Sequence, residues 1–113
     1  MKLLVLAALV AALLVPAAFA ATPSLSGTVG PGFTITLKQG SAKVSKLKAG
    51  TYTFKIADKS NIHNFHLTGP GVDKKTAVGF VGNVTWKVTL KKGTYKFVCD
   101  PHKSFMKGSF TVS

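Results

Sequence analysis

The sequence predicts an all-β domain, a sandwich or a barrel, on three observations. Roughly seven or eight short segments alternate apolar and polar residues, as half-buried strands do. Glycine, proline, asparagine and serine clusters separate them at intervals of roughly ten residues. No stretch between Ala21 and Ser113 sustains the 3.6-residue apolar repeat of an amphipathic helix.

In chain order, Ala21-Thr22-Pro23 is a lead-in and Ser24 to Val29 a first strand, ended by the turn signal Gly30-Pro31-Gly32. Phe33 to Leu37 alternates and Gln39-Gly40-Ser41 turns it, leaving Val44 and Leu47 in a lysine-rich connection. Thr51 to Ile56 alternates with Tyr52, Phe54 and Ile56 on one face, and Asp58-Lys59-Ser60-Asn61 turns. Ile62 to Thr68 reads as a strand carrying two histidines, broken by Gly69-Pro70-Gly71, with Val72 to Thr76 as loop. Val84 to Leu90 alternates with Val84, Trp86, Val88 and Leu90 inward, and Lys91-Lys92-Gly93 turns it. Thr94 to Cys99 and Ser109 to Val112 complete the set.

The first twenty residues read as an export signal rather than part of the fold. Lys2 gives a positive start, Leu3 to Val15 is an apolar run short for a bilayer span, and Ala18-Phe19-Ala20 is a small-x-small cleavage site. The mature domain is expected at 21–113, exported to a periplasm or the medium, with no membrane insertion of its own and no second domain. A single cysteine allows no intrachain disulfide. An odd thiol in an oxidising compartment must be buried, reactive or metal-bound.

Charge is one-sided. The fifteen basic residues are all lysines, and the only acids are Asp58, Asp73 and Asp100. Such a field favours acidic partners. It argues against nucleic acid, because there is no arginine for bidentate contacts and the lysines are scattered along the chain.

The chemistry gathers in Cys99-Asp100-Pro101-His102-Lys103-Ser104-Phe105-Met106. A thiolate, an imidazole and a thioether within one loop suit an ion cycling between Cu(I) and Cu(II). Alternation places Cys99 on the inward face with Tyr95 and Phe97. Pro101 holds Asp100 extended and turns the chain, bringing His102 back over the thiolate. Met106 returns before the last strand. A further imidazole must come from another strand, and His63 and His66 compete for the place. His63 shares the apolar face of Phe65 and Leu67, so parity favours it; His66 falls with Asn64 and Thr68 on the outer face. A β-bulge would reverse that choice.

Gly93 to His102, followed by Met106-Lys107-Gly108, resembles the C-terminal signature of plastocyanin-like and pseudoazurin-like cupredoxins, and His63-Asn64 resembles their His-Asn pair. The likeness runs from about Phe33 onward. The spacing from His102 to Met106 is intermediate between plastocyanins and the shorter amicyanins, and Ile62 stands where plastocyanins usually carry proline. The resemblance implies a Greek-key β-sandwich with one type 1 copper ion, held by Cys99, His63 and His102 with Met106 as a long axial ligand. It implies that Asn64 braces the ligand loops near Asp100. It also implies one-electron transfer through a His102 edge near the surface. Pro101, Phe105, Pro70 and Gly71 are expected to form an apolar collar there, with lysines steering an acidic redox partner. The chain is expected to act as a monomer.

Other functions fit less well. Copper storage or delivery would use the same four residues without redox cycling. A thiol hydrolase needs a group to orient its histidine base, and none is evident. Multicopper catalysis needs more than the three histidines present. A binding module that merely retains the loop would tolerate loss of Cys99.

Overall fold

The computed structural model describes residues 21–113. The expected export signal, 1–20, lies outside the described residues. Among the described residues ten strands form: β1 (Ser24–Val29), β2 (Ile35–Gln39), β3 (Ala42–Lys43), β4 (Lys46–Leu47), β5 (Gly50–Asp58), β6 (His66–Gly69), β7 (Val72–Lys75), β8 (Gly82–Leu90), β9 (Gly93–Val98) and β10 (Lys107–Val112). The helical structure among the described residues is one 3₁₀ turn, Asp100–His102.

The strands make two five-stranded sheets, ordered β3-β2-β1-β5-β8 and β4-β10-β9-β6-β7. Most neighbours are antiparallel, while β1 runs parallel to β5 and β10 parallel to β4. The short β3 and β4 lie on opposite sheets, so the lysine-rich connection around Val44 is where the chain crosses the sandwich.

Period-two alternation decides what is inside. Leu25, Val29, Leu37, Phe54 and Ile56 of one sheet face Leu67, Tyr95, Phe97, Phe110 and Val112 of the other, all buried. Phe65 stacks on Phe97 with ring centres 5.7 Å apart, and Tyr95 on Phe110 at 5.3 Å. A side chain at 108 would meet the Phe97 ring at 2.2 Å, so Gly108 leaves that ring its place. Truncating a buried aromatic of this kind costs about 3–5 kcal/mol. Tyr95 keeps its polar tip satisfied at the end remote from the ligand loop, donating to the Pro70 carbonyl (3.1 Å) and accepting the Lys91 N–H (2.9 Å).

Four local expectations need correction. The strand expected over Ile62–Thr68 begins only at His66. Residues 63–65 are all buried, which no alternating strand allows. The His63 N–H donates to the Ser60 carbonyl (3.5 Å), while Phe65 pairs with Thr76: its N–H donates to Thr76 Oγ1 (2.9 Å), and the Thr76 N–H donates to the Phe65 carbonyl (3.0 Å). Second, Val72–Lys75 is a strand rather than loop, pairing with β6 through the turn at Pro70-Gly71. A sheet edge of Val-Asp-Lys-Lys hides its pattern because charged residues guard edges against aggregation. Third, β2 starts at Ile35, leaving Phe33 outside the strand. Fourth, Asp100 opens the 3₁₀ turn, and the extended residue is Cys99 (φ −93°, ψ 115°).

Candidate metal centre

The centre forms at one end of the sandwich, where β9 hands over to β10. The hairpin does not open freely there. Cys99 N–H donates to the Met106 carbonyl (3.0 Å), and inside that closure His102 N–H donates to the Cys99 carbonyl (3.0 Å). Phe105 and Met106 N–H both donate to the His102 carbonyl, at 3.1 and 2.8 Å. Pro101 fits the start of the turn because an N–H there would have no partner within it. The result is a tight loop with Cys99 and Met106 buried beneath it and His102 half-buried on it.

The opposing wall is the segment before β6. His63 is fully buried, and its Nδ1 lies 3.1 Å from His102 Nδ1. Cys99 Sγ lies 3.6 Å from each of these nitrogens. Donors each about 2.0–2.3 Å from a shared first-row ion sit roughly 3.5 Å apart around a triangle. The three donors converge at that separation. Their softness, one thiolate and two imidazoles, suits copper. His63, Cys99 and His102 are the group of possible ligands drawn together among the described residues. His63 Nε2 is buried without a hydrogen-bond partner, so a bond at Nδ1 is what would hold that ring in register.

Asn64 is the latch between the two walls. Its Oδ1 accepts the Asp100 N–H (2.7 Å), and its Nδ2 donates to Asp100 Oδ2 (2.7 Å) and to the Thr76 carbonyl (3.2 Å). Parity predicts Asn64 on the outer face; the structure buries it, because 63–65 is not strand. The two bonds to Asp100 also explain why that residue enters the turn despite the proline after it. Beneath the latch, Thr76 donates to the Asp58 carboxylate (3.4 Å). Burial raises the Asp58 pKa, outweighing the Ser60 N–H and Thr76 hydroxyl that would lower it.

His66 is not the free surface residue that parity implies. Its Nδ1 meets Asp100 at 2.8 Å and its Nε2 meets Asp73 at 2.6 Å. Burial opposes protonation, but hydrogen bonds to the two carboxylates prevail and raise its pKa. Burial likewise works against ionisation of Asp100, yet hydrogen bonds from His66 and Asn64 prevail and lower its pKa.

Sequence reasoning missed two residues. Thr76 carries no signal by which to find it. Phe33, read as a strand residue, stands over the centre at 58% exposure, edge-on to the His63 ring (5.2 Å) and the His102 ring (5.1 Å). Phe105, 59% exposed, lies 6.0 Å from Phe33, and Ile62, 49% exposed, adjoins His63. Phe33 and Phe105 form the apolar rim around His102. Pro70 and Gly71, expected in it, line a hollow with Lys91 at the other end of β6. Gly30 lets the Phe33 loop approach: it has φ +72°, and a side chain there would come within 3.3 Å of the His63 ring.

Comparison with known proteins agrees with this architecture. The family model described as a cupredoxin-like domain matches residues 3–112. No curated relative matches the chain. Among solved structures, reduced rusticyanin is similar at 20% identity and a TM-score of 0.57, covering 80% of this chain and 78% of that one. A second structure of rusticyanin, described as a copper protein, is similar at 19% identity and a TM-score of 0.57, with 80% and 76% covered. Rusticyanin from Thiobacillus ferrooxidans gives 22% identity and a TM-score of 0.51, again covering 80% and 76%. At these identities the likeness speaks to the fold.

Proposed function

The chain belongs to the cupredoxin-like family, and from that premise we propose that it is an exported carrier of single electrons, using one type 1 copper ion that His63, Cys99, His102 and Met106 would hold. The observation that carries the reading is the convergence of Cys99 Sγ, His63 Nδ1 and His102 Nδ1 from two distant segments. Copper bound there supplies a one-electron couple.

The chain's own residues keep the donors from moving as charge changes. His63 is confined by the core and by Gly30, with the Phe33 ring edge-on to it. Cys99 is fixed by its bond to Met106 at the root of the loop. Asn64 ties the loop to the opposing wall through both its oxygen and its nitrogen. Small rearrangement is what fast transfer requires. His102, half-buried between Phe33 and Phe105, is the route to the surface. The apolar rim fits a brief encounter with an electron donor or acceptor, and the lysines favour one acidic at its docking surface. The mature chain is read as a monomer in a periplasm or the medium.

The test is to add Cu(II) to the mature protein and record absorption, EPR and a voltammogram. An intense orange-red band with a reversible one-electron wave is expected. A weakly coloured Cu(II) form without a reversible wave contradicts electron transfer and favours copper delivery.

A further inference from the structure

We propose that the outer face of the β3-β2-β1-β5-β8 sheet docks on an anionic lipid bilayer through Lys38, Lys43, Lys55 and Lys87. Strand register defines the face. One outward row runs Lys43, Lys38, Ser26, Lys55, Thr85 across all five strands. The next rows hold Thr36, Thr28, Ala57 and Asn83 on one side, and Ser24, Thr53 and Lys87 on the other. Neighbouring strands lie about 4.8 Å apart, so Lys38 and Lys55 are rooted roughly 10 Å from one another with only Ser26 between them.

Three features select a bilayer. The first is the absence of any carboxylate on this face among the described residues. Asp58 is buried and bonded to Ser60 and Thr76, while Asp73 and Asp100 are held by His66 on the other sheet. No lysine among the described residues forms an ion pair, so these ammonium groups keep their full field.

The second is the absence of an anchor. The large apolar side chains that the described residues expose are Phe33, Ile62, Val78, Val81 and Phe105, all in loops. A protein interface concentrates its energy in buried aromatic or arginine anchors. A nucleic-acid face adds arginine forks or stacking aromatics. This face has neither.

The third is a shallow hollow of about 390 Å³ over the β1-β5-β8 side of the face. Gly27, Ala57 and other apolar surface make most of its lining, and among them Ser26, Thr28, Lys55, Asn83 and Thr85 bring hydroxyl, amide and ammonium donors that can meet a phosphate headgroup.

Lysines near an anionic leaflet add their attractions, which salt screens. With no apolar side chain to insert, contact is peripheral and reversible. The copper centre lies at the strand tips rather than on this face, so a docked molecule keeps the Phe33–Phe105 rim open to a partner.

The outer face of the other sheet supplies an internal control. It also carries lysines, among them Lys75, Lys96 and Lys107, but Asp73, Asp100 and His66 interrupt them.

The test is co-sedimentation of the mature protein with phosphatidylcholine vesicles, with and without phosphatidylglycerol. Binding is expected only with phosphatidylglycerol and should be lost on raising salt. The double variant K55E/K87E should lower the partition coefficient at least about tenfold. The pair K96E/K107E, with the same change in net charge, should lower it much less. Urea midpoints establish that both pairs fold, and K38Q/K43Q set against K96Q/K107Q, again equal in net charge, replaces them should either fail to do so. Equal losses in the two pairs would reduce the effect to net charge and overturn the proposal. So would failure to bind phosphatidylglycerol vesicles, or tighter binding to a DNA duplex at equal phosphate concentration.

Discussion

The two walls of the metal centre are built by opposite means. The late wall, Cys99 to Met106, is a short loop closed on itself by four backbone hydrogen bonds, and its donors are near neighbours in the chain. The early wall, His63 to Phe65, has almost no order of its own. It leans on residues far away in sequence: Thr76 for its backbone and Asp100 for its Asn64 side chain. Local closure makes a wall robust and visible in sequence. Borrowed support makes one sensitive to remote substitutions and hard to anticipate.

The largest effect expected is from the late wall's thiol. Cys99→Ser should abolish the intense visible band and weaken copper by more than about a hundredfold, beyond the 10- to 100-fold typical of losing a supporting hydrogen bond. Titration followed by absorption checks it. Next comes the latch. Asn64→Ala leaves the Asp100 N–H without its acceptor, and should destabilise the domain by about 1–3 kcal/mol in urea unfolding. Copper should weaken about 10- to 100-fold in the same variant. If Asn64→Ala proves harmless, the early wall is not held as described, and the contrast between the walls fails.

A smaller, pH-dependent effect sharpens the contrast at His66. Its pKa is raised from 6.5 in the folded state, so its stabilisation is full below that value and fades as pH rises through the folded pKa. The Asp100 pKa is lowered from 3.8, so its contribution is full above that value and fades as pH falls through the folded pKa. The difference in unfolding midpoint between wild type and His66→Gln should therefore be greatest between 3.8 and 6.5 and shrink on both sides. The smallest effect belongs to the rim. Phe33→Ala should leave the copper spectrum in place and slow exchange with a redox partner about fivefold, as loss of one modest interface contact does. Stopped-flow mixing reads it.

What could be read from sequence follows the same division. The late wall was legible because its signal is local: alternation carries Cys99 inward and the loop spacing does the rest. The inward strands Thr51–Ile56 and Val84–Leu90 were legible for the same reason. Strand parity and the His-Asn resemblance favour His63 over His66. The structure buries His63 and brings it to the cysteine, yet it contains no strand at that point, so the physical ground for parity is absent there. Asn64 shows the flaw, since the same parity sent it outward. Phe33 and Thr76 act through tertiary contacts with residues about thirty and eleven positions away, and no local pattern records such a contact. Edge strand β7 was hidden by the lysines that protect it.

The most direct test is to load the mature protein with copper and count its ligands by X-ray absorption and pulsed EPR, in wild type, His63→Ala and His66→Ala. One short sulfur and two imidazoles should appear in the wild type, with one imidazole lost in His63→Ala and both kept in His66→Ala. Two imidazoles surviving in His63→Ala, or the loss of one in His66→Ala, would show that the ion does not join the two walls as described.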